Sequence, residues 1–196
     1  MDGKEKEHRF IQLISQWLVS LPFDLKVLHE IADNEDLDRN ARELMIGAII
    51  YTISPNDLVA DRHDSFVSYC DDCIIVRIAA SQALERGGED AEHIKNRFPE
   101  FFSELDQGLE LCQEVMGDLY TWLQSKIPGL SKQAYKGKDV ASYLDEVEAG
   151  EMLYEDELAF LTEYPVEEDT LGDKFKRVST ILDVIRRRKA EEARRG

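Results

Sequence analysis

Apolar residues recur along this chain at helical spacing with few interruptions. Phe10, Leu13, Ile14, Trp17, Leu18 and Leu21 fall at i, i+3, i+4, i+7, i+8 and i+11, one stripe of an amphipathic helix. Pro22 reads as the end of that element or the start of the next, and a shorter apolar pattern continues from Phe23 to Ile31. The polar run Asp33-Asn34-Glu35-Asp36 offers capping groups for a helix from Leu37 to Ile53, whose second half is apolar nearly all round. Ser54-Pro55-Asn56-Asp57 then reads as an N-cap serine, an N1 proline and an acidic first turn, predicting a short helical turn to about Asp61. Asp64 or Ser65 can cap a second long helix running to about Arg86, which Gly87-Gly88 stops. Further helices are expected over 91–98, 102–123, 140–164 (or two, broken at Gly150) and 171–188, with a loop over 130–138. The pattern predicts an all-α fold: one multi-helix domain over 1–188, built around an antiparallel hairpin of helices 37–53 and 65–86, with a basic tail over 189–196.

Charge alters the picture by narrowing the partners. A net charge of −17 argues against nucleic-acid binding, because a polyanion needs a basic surface. The acidity is uneven. From Asp139 to Asp173 there are thirteen acidic residues and no basic ones, whereas Lys174 to Gly196 holds nine Lys or Arg against three Asp or Glu. One reading is an acidic protein-binding face with a basic tail that touches a partner or another copy of the chain; the other is a solvated face beside a well-placed helix end. The longest apolar run, Leu44 to Ile53, is about half of the roughly 20 residues a spanning helix needs. MDGKEKEHRF lacks the apolar core of a secretory signal, and three cysteines, an odd number, suit a reducing compartment. The expected setting is the cytoplasm.

Four aspartates are the leading candidates for chemistry. Asp57, Asp61, Asp71 and Asp72 could bring carboxylate oxygens from the corner and the following helix onto a hard cation such as Mg²⁺ or Mn²⁺, or they could serve as helix caps and solvated charges. On a helix, neighbouring residues lie about 100° apart. Asp71 is expected on the exposed side, and Asp72 on the apolar side, where it calls for a partner such as the N–H groups opened at Ser54-Pro55. Arg77 falls on the wrong side of the helix to serve Asp72. His63, Cys70 and Cys73 suggest zinc only if Cys112 or an aspartate joins them, and the C-x-x-C lies within a helix, so buried packing cysteines are the favoured reading. No nucleophile elbow, H-E-x-x-H or phosphate-cradling glycine loop occurs.

The run Ser54-Pro55-x-Asp57-Leu58-Val59-x-Asp61, followed by Asp71-Asp72 and an aliphatic stretch, resembles the YkvA-like family, a domain of unknown function. The resemblance covers roughly residues 40 to 80. It implies a short helical hairpin and singles out the same four aspartates, but brings no activity with it. Ala60 stands where the family has proline, and the spacing to the aspartate pair is about one residue longer. The polar corner Arg62-His63-Asp64-Ser65 replaces an apolar one, so the peripheral membrane contact suggested for many relatives is not expected here. The expected function is a non-enzymatic interaction or structural protein without a cofactor, partnered by another protein or by itself. The alternative is a divalent-metal-dependent hydrolase using Asp57, Asp61, Asp71 and Asp72 with Mg²⁺ or Mn²⁺.

Overall fold

The computed structural model describes residues 3–54, 67–85, 87–166, 171 and 177–195. Its first helix does not end at Pro22. α1 runs unbroken from Gly3 to Asp33 with the proline inside it. A proline within a helix costs about 3 kcal/mol. Leu18, Leu21, Leu25 and Leu28 are all fully buried around it, and each contributes about 1.5–3 kcal/mol by leaving water. The missing N–H would have bonded the Leu18 carbonyl four residues back. That carbonyl accepts from the Tyr164 hydroxyl instead, at 2.6 Å.

α2 (Arg39–Ile53) is capped by Asp38, whose carboxylate accepts from the Asn40 N–H at 2.9 Å, rather than by the acidic run before Leu37. A 3₁₀ turn over Val67–Tyr69 leads into α3 (Cys70–Leu84). Tyr51, near the end of α2, reaches Asp71 in the first turn of α3, so the two helices are antiparallel, and both pack on α1. The corner between them, including the expected turn 55–61 with Asp57, Asp61 and His63, lies outside the described residues.

Around this three-helix centre lie α4 (Gly88–Arg97), α5 (Pro99–Phe102), α6 (Leu105–Met116), α7 (Asp118–Gln124), α8 (Ile127–Leu130), α9 (Ser142–Asp145), α10 (Val147–Glu163) and α11 (Val178–Arg195). The fold is all-α. The single helix expected over 102–123 is divided, most sharply at Gly117, whose φ of +54° suits a residue without Cβ. The segment 140–164 divides at Glu146, which is extended, while Gly150 stays helical. The expected loop 130–138 contains a small antiparallel ladder, β1 (Ala134–Tyr135) with β2 (Lys138–Asp139), turned by Lys136 and Gly137 at positive φ. α11 continues past Arg188 to Arg195, through the residues read as a tail; its expected start at Leu171 borders residues outside the description.

One glycine sets a helix–helix approach. A Cβ on Gly47 would lie 2.3 Å from the Leu130 carbonyl oxygen, so the missing side chain is what lets α8 sit against α2. Gln133 closes the contact by donating its side-chain N–H to the carbonyl of Gly47 at 3.0 Å and of Leu130 at 3.1 Å. Gly47→Ala is expected to lower unfolding free energy by about 2 kcal/mol in urea melts, despite alanine's better helix propensity. Gly129→Ala, with nothing within 4 Å of its added methyl, should leave stability unchanged or slightly raised.

Candidate functional site

The described chemistry concentrates at the start of α3. Asp71 and Asp72 occupy its first turn, where the helix dipole favours negative charge. Both are buried, so the expectation that Asp71 faces water is overturned: its relative exposure is 0%. The reason is α11, which covers this end of α3. From it Arg188 donates to Asp71 Oδ2 and, at 2.7 Å, to the Ser68 carbonyl; it lies 3.9 Å from Asp72. The Tyr51 hydroxyl donates to Asp71 Oδ2 at 3.0 Å. One guanidinium thus faces two carboxylates. Burial, and then the charge of Asp71, push the Asp72 carboxyl well above the usual range, with Arg188 opposing. Among the described residues, Asp71 Oδ1, Asp72 Oδ1 and Arg188 Nε have no hydrogen-bond partner.

A second buried pair ties α3 to α1. Arg77 extends from α3 to Asp24 of α1, bonding both carboxylate oxygens, one at 3.2 Å, and reaching the Ser20 hydroxyl at 3.0 Å. The guanidinium also lies 4.6 Å from the Trp17 ring centre and 4.9 Å from that of Phe101, in cation–π range. Burial raises the Asp24 carboxyl, against the pull of Arg77. Arg77 therefore faces away from Asp72, as its helical position suggested, and serves a different carboxylate.

A third contact joins α1 to α10. His29 Nδ1 lies 3.1 Å from the buried Glu157 carboxylate, its Nε2 lies 3.6 Å from Asp33, and the Tyr154 ring meets it edge-on. The hydrogen bond to Glu157 raises the histidine above its ordinary 6.5, with burial opposing.

Of the four aspartates singled out from sequence, Asp71 and Asp72 come together; Asp57 and Asp61 lie outside the described residues, as does His63. Among the described residues no group of three or more His, Cys, Asp or Glu side chains is arranged to hold a metal. Cys70, Cys73 and Cys112 are free and buried, and burial raises all three thiols, as suits packing residues. A cleft of about 700 Å³ lies between the end of α3 and α4, lined by Leu84, Glu89 and His93 among others. It sits at the opposite end of α3 from Asp71, about 20 Å away along the helix at 1.5 Å per residue. The cleft and the buried carboxylates do not meet.

Sequence reading missed Arg188, Tyr51 and Asp24. The signal was available for two of them. Arg188 continues the stripe of Ile181 and Ile185 by seven and three residues, and Asp24 lies between Leu21 and Leu28 on the stripe of α1. A charge on an apolar stripe calls for a buried partner.

No protein-family model, curated protein or solved structure matches the chain.

Arg188→Ala should cost about 3 kcal/mol in urea melts, because it leaves two buried carboxylates without a cation. Asp72→Asn should leave stability unchanged or raise it, since it removes like-charge repulsion with Asp71, and it should recover part of the loss when combined with Arg188→Ala. A neutral Arg188→Ala would show that α11 is not held by this contact. The His29 contact gives a pH signature of definite sign. A raised histidine stabilises the fold fully below the unfolded value of 6.5, and that contribution is lost as pH rises through the folded value. Stability measured at about pH 6 should therefore exceed that at about pH 8 by a margin that Glu157→Gln abolishes.

Proposed function

We propose that this chain is a protein-interaction module rather than an enzyme. The observation that carries the reading is where large apolar side chains remain in water. Among the described residues there are five: Val19 and Phe23 on α1, and Val147, Tyr154 and Leu158 on α10. They belong to two helices joined by the His29–Glu157 contact and by the bond from Tyr164, just beyond α10, to Leu18. Large apolar side chains left in water mark surface that gains by being covered. The buried charges support the same reading, because Arg77 and Arg188 are engaged in holding helices together. Three free, buried cysteines support a reducing, cytoplasmic setting, and no described helix is long and apolar enough to cross a membrane.

A second reading has its own support. Asp71 Oδ1 and Asp72 Oδ1, without a hydrogen-bond partner among the described residues, favour a divalent cation held together with Asp57 and Asp61, as a metal-dependent hydrolase would use Mg²⁺ or Mn²⁺. In that case Arg188 would stand in for the cation until it binds. The two separate in a thermal-shift titration. The interaction reading expects no saturable rise in Tm with Mg²⁺ or Mn²⁺. The metal reading expects a rise that grows with concentration and disappears in Asp72→Asn. A cation-dependent rise of that kind would overturn the interaction reading.

A further inference from the structure

α10 presents an unusual outer face. It buries Ala149, Leu153 and Glu157 against the body of the protein. At 100° per residue, Val147, Tyr154 and Leu158, spaced by seven and four, fall within about 40° of one another on the side turned to water. They form a ridge about 16 Å long, at 1.5 Å per residue. Val147 is 78% exposed, Tyr154 50% and Leu158 42%. Beside that ridge stand Glu148, Glu151 and Glu155, all exposed and, among the described residues, in no ion pair. The other two carboxylates of this stretch are engaged: Asp156 by Lys136 and the Tyr135 hydroxyl, Glu157 by His29. On the α1 side the exposed Lys26 lies three residues from Phe23, whereas α10 carries no cation of its own.

Resting on the interaction reading above, we propose that this face of α10 docks a basic amphipathic helix of another protein. An apolar stripe on the partner would cover Val147, Tyr154 and Leu158, and its Lys or Arg flank would meet Glu148, Glu151 and Glu155. Charge selects the occupant. Uncovered carboxylates beside an apolar ridge repel nucleic acid and anionic lipid, and they attract a cationic surface of matching shape. Spacing selects a helix, because residues seven and four apart make a straight ridge that another helix can lie along with its own i, i+3, i+4 stripe. The chain's own basic helix, α11, is poorly suited to the role. Its apolar stripe of Val178, Ile181 and Ile185 is already buried within its own fold, leaving only its charged face free.

The test uses the full chain and a labelled synthetic amphipathic helix with leucine at every third or fourth position and lysine on both flanks. Fluorescence anisotropy should give saturable binding that weakens as salt rises, and backbone amide shifts in NMR should change along α10 and the exposed side of α1. Leu158→Asp, an exposed change that circular dichroism should show to be folded, should weaken binding by about tenfold or more. Glu151→Lys/Glu155→Lys should weaken it and reduce its salt dependence. A helix of the same charge without the leucine stripe should bind weakly, and no less to Leu158→Asp than to wild type, because the added carboxylate only favours it. No saturable binding, or binding indifferent to Leu158→Asp, overturns the proposal. So does a wild-type dimer in sedimentation that Leu158→Asp dissociates, since the occupant is then a second copy; the broader interaction reading survives that result. Amide shifts confined to another surface likewise overturn this docking face alone, whereas cation-dependent stabilisation of the aspartate corner overturns the broader reading.

Discussion

A guanidinium buried against a carboxylate on another helix is the contact this architecture depends on, and it occurs twice among the described residues. α3 carries charges on two sides: Asp71 and Asp72 receive Arg188 from α11, and Arg77 receives Asp24 from α1. Neither pair is a strong source of net stability, because taking both charges out of water costs nearly as much as their attraction returns. Their effect is on arrangement. A helix slid by one turn against α3 would strand a charge in an apolar interior at a cost of several kcal/mol, so the pairs select one register among the many that apolar stripes alone permit. Burial, and then the charge of Asp71, leave Asp72 with a raised proton affinity that Arg188, 3.9 Å away, opposes.

Polar satisfaction decides the outer helices as well. Pro22 leaves a carbonyl without its helical donor, and Tyr164 supplies one across 146 positions of sequence. The same tyrosine packs against Tyr69 and Phe160, with ring centres at 5.1 and 5.3 Å. An irregularity in α1 is thereby tied to the segment that follows α10 and to the entrance of α3. His29 and Glu157 add a polar contact between α1 and α10 that depends on the proton state of the imidazole. α10 is thus fastened by buried Ala149 and Leu153 together with these polar and aromatic contacts, while Val147, Tyr154 and Leu158 stay exposed.

That division between a fastened edge and a free one underlies the proposed function. α10 lacks cations and has more carboxylates than its fold employs, so its outer surface is both apolar and negative. α11 is the converse, with its apolar stripe consumed and its surplus charge positive. The first arrangement suits recognition of a cationic partner. The second suits anchoring, with Arg188 turned inward and its basic neighbours left to solvent.

Helical periodicity by itself determined that the fold is all-α, because a 3.6-residue apolar repeat leaves a chain few other ways to hide its stripe, and the antiparallel pair expected over 37–53 and 65–86 is realised as Arg39–Ile53 and Cys70–Leu84. Buried cysteines and a buried Asp72 were legible for the same local reason. What lay beyond the sequence depended on partners distant along the chain. Pro22 reads as a terminator until Tyr164 is placed against Leu18, and Asp71 reads as exposed until α11 covers it. Glu146 rather than Gly150 breaks the helix, because a helix end is set by where neighbouring packing lets the chain turn as well as by propensity. Period and composition act within a few residues. Pairing of buried charges and donors acts between helices, and only the assembled tertiary structure brings those helices together.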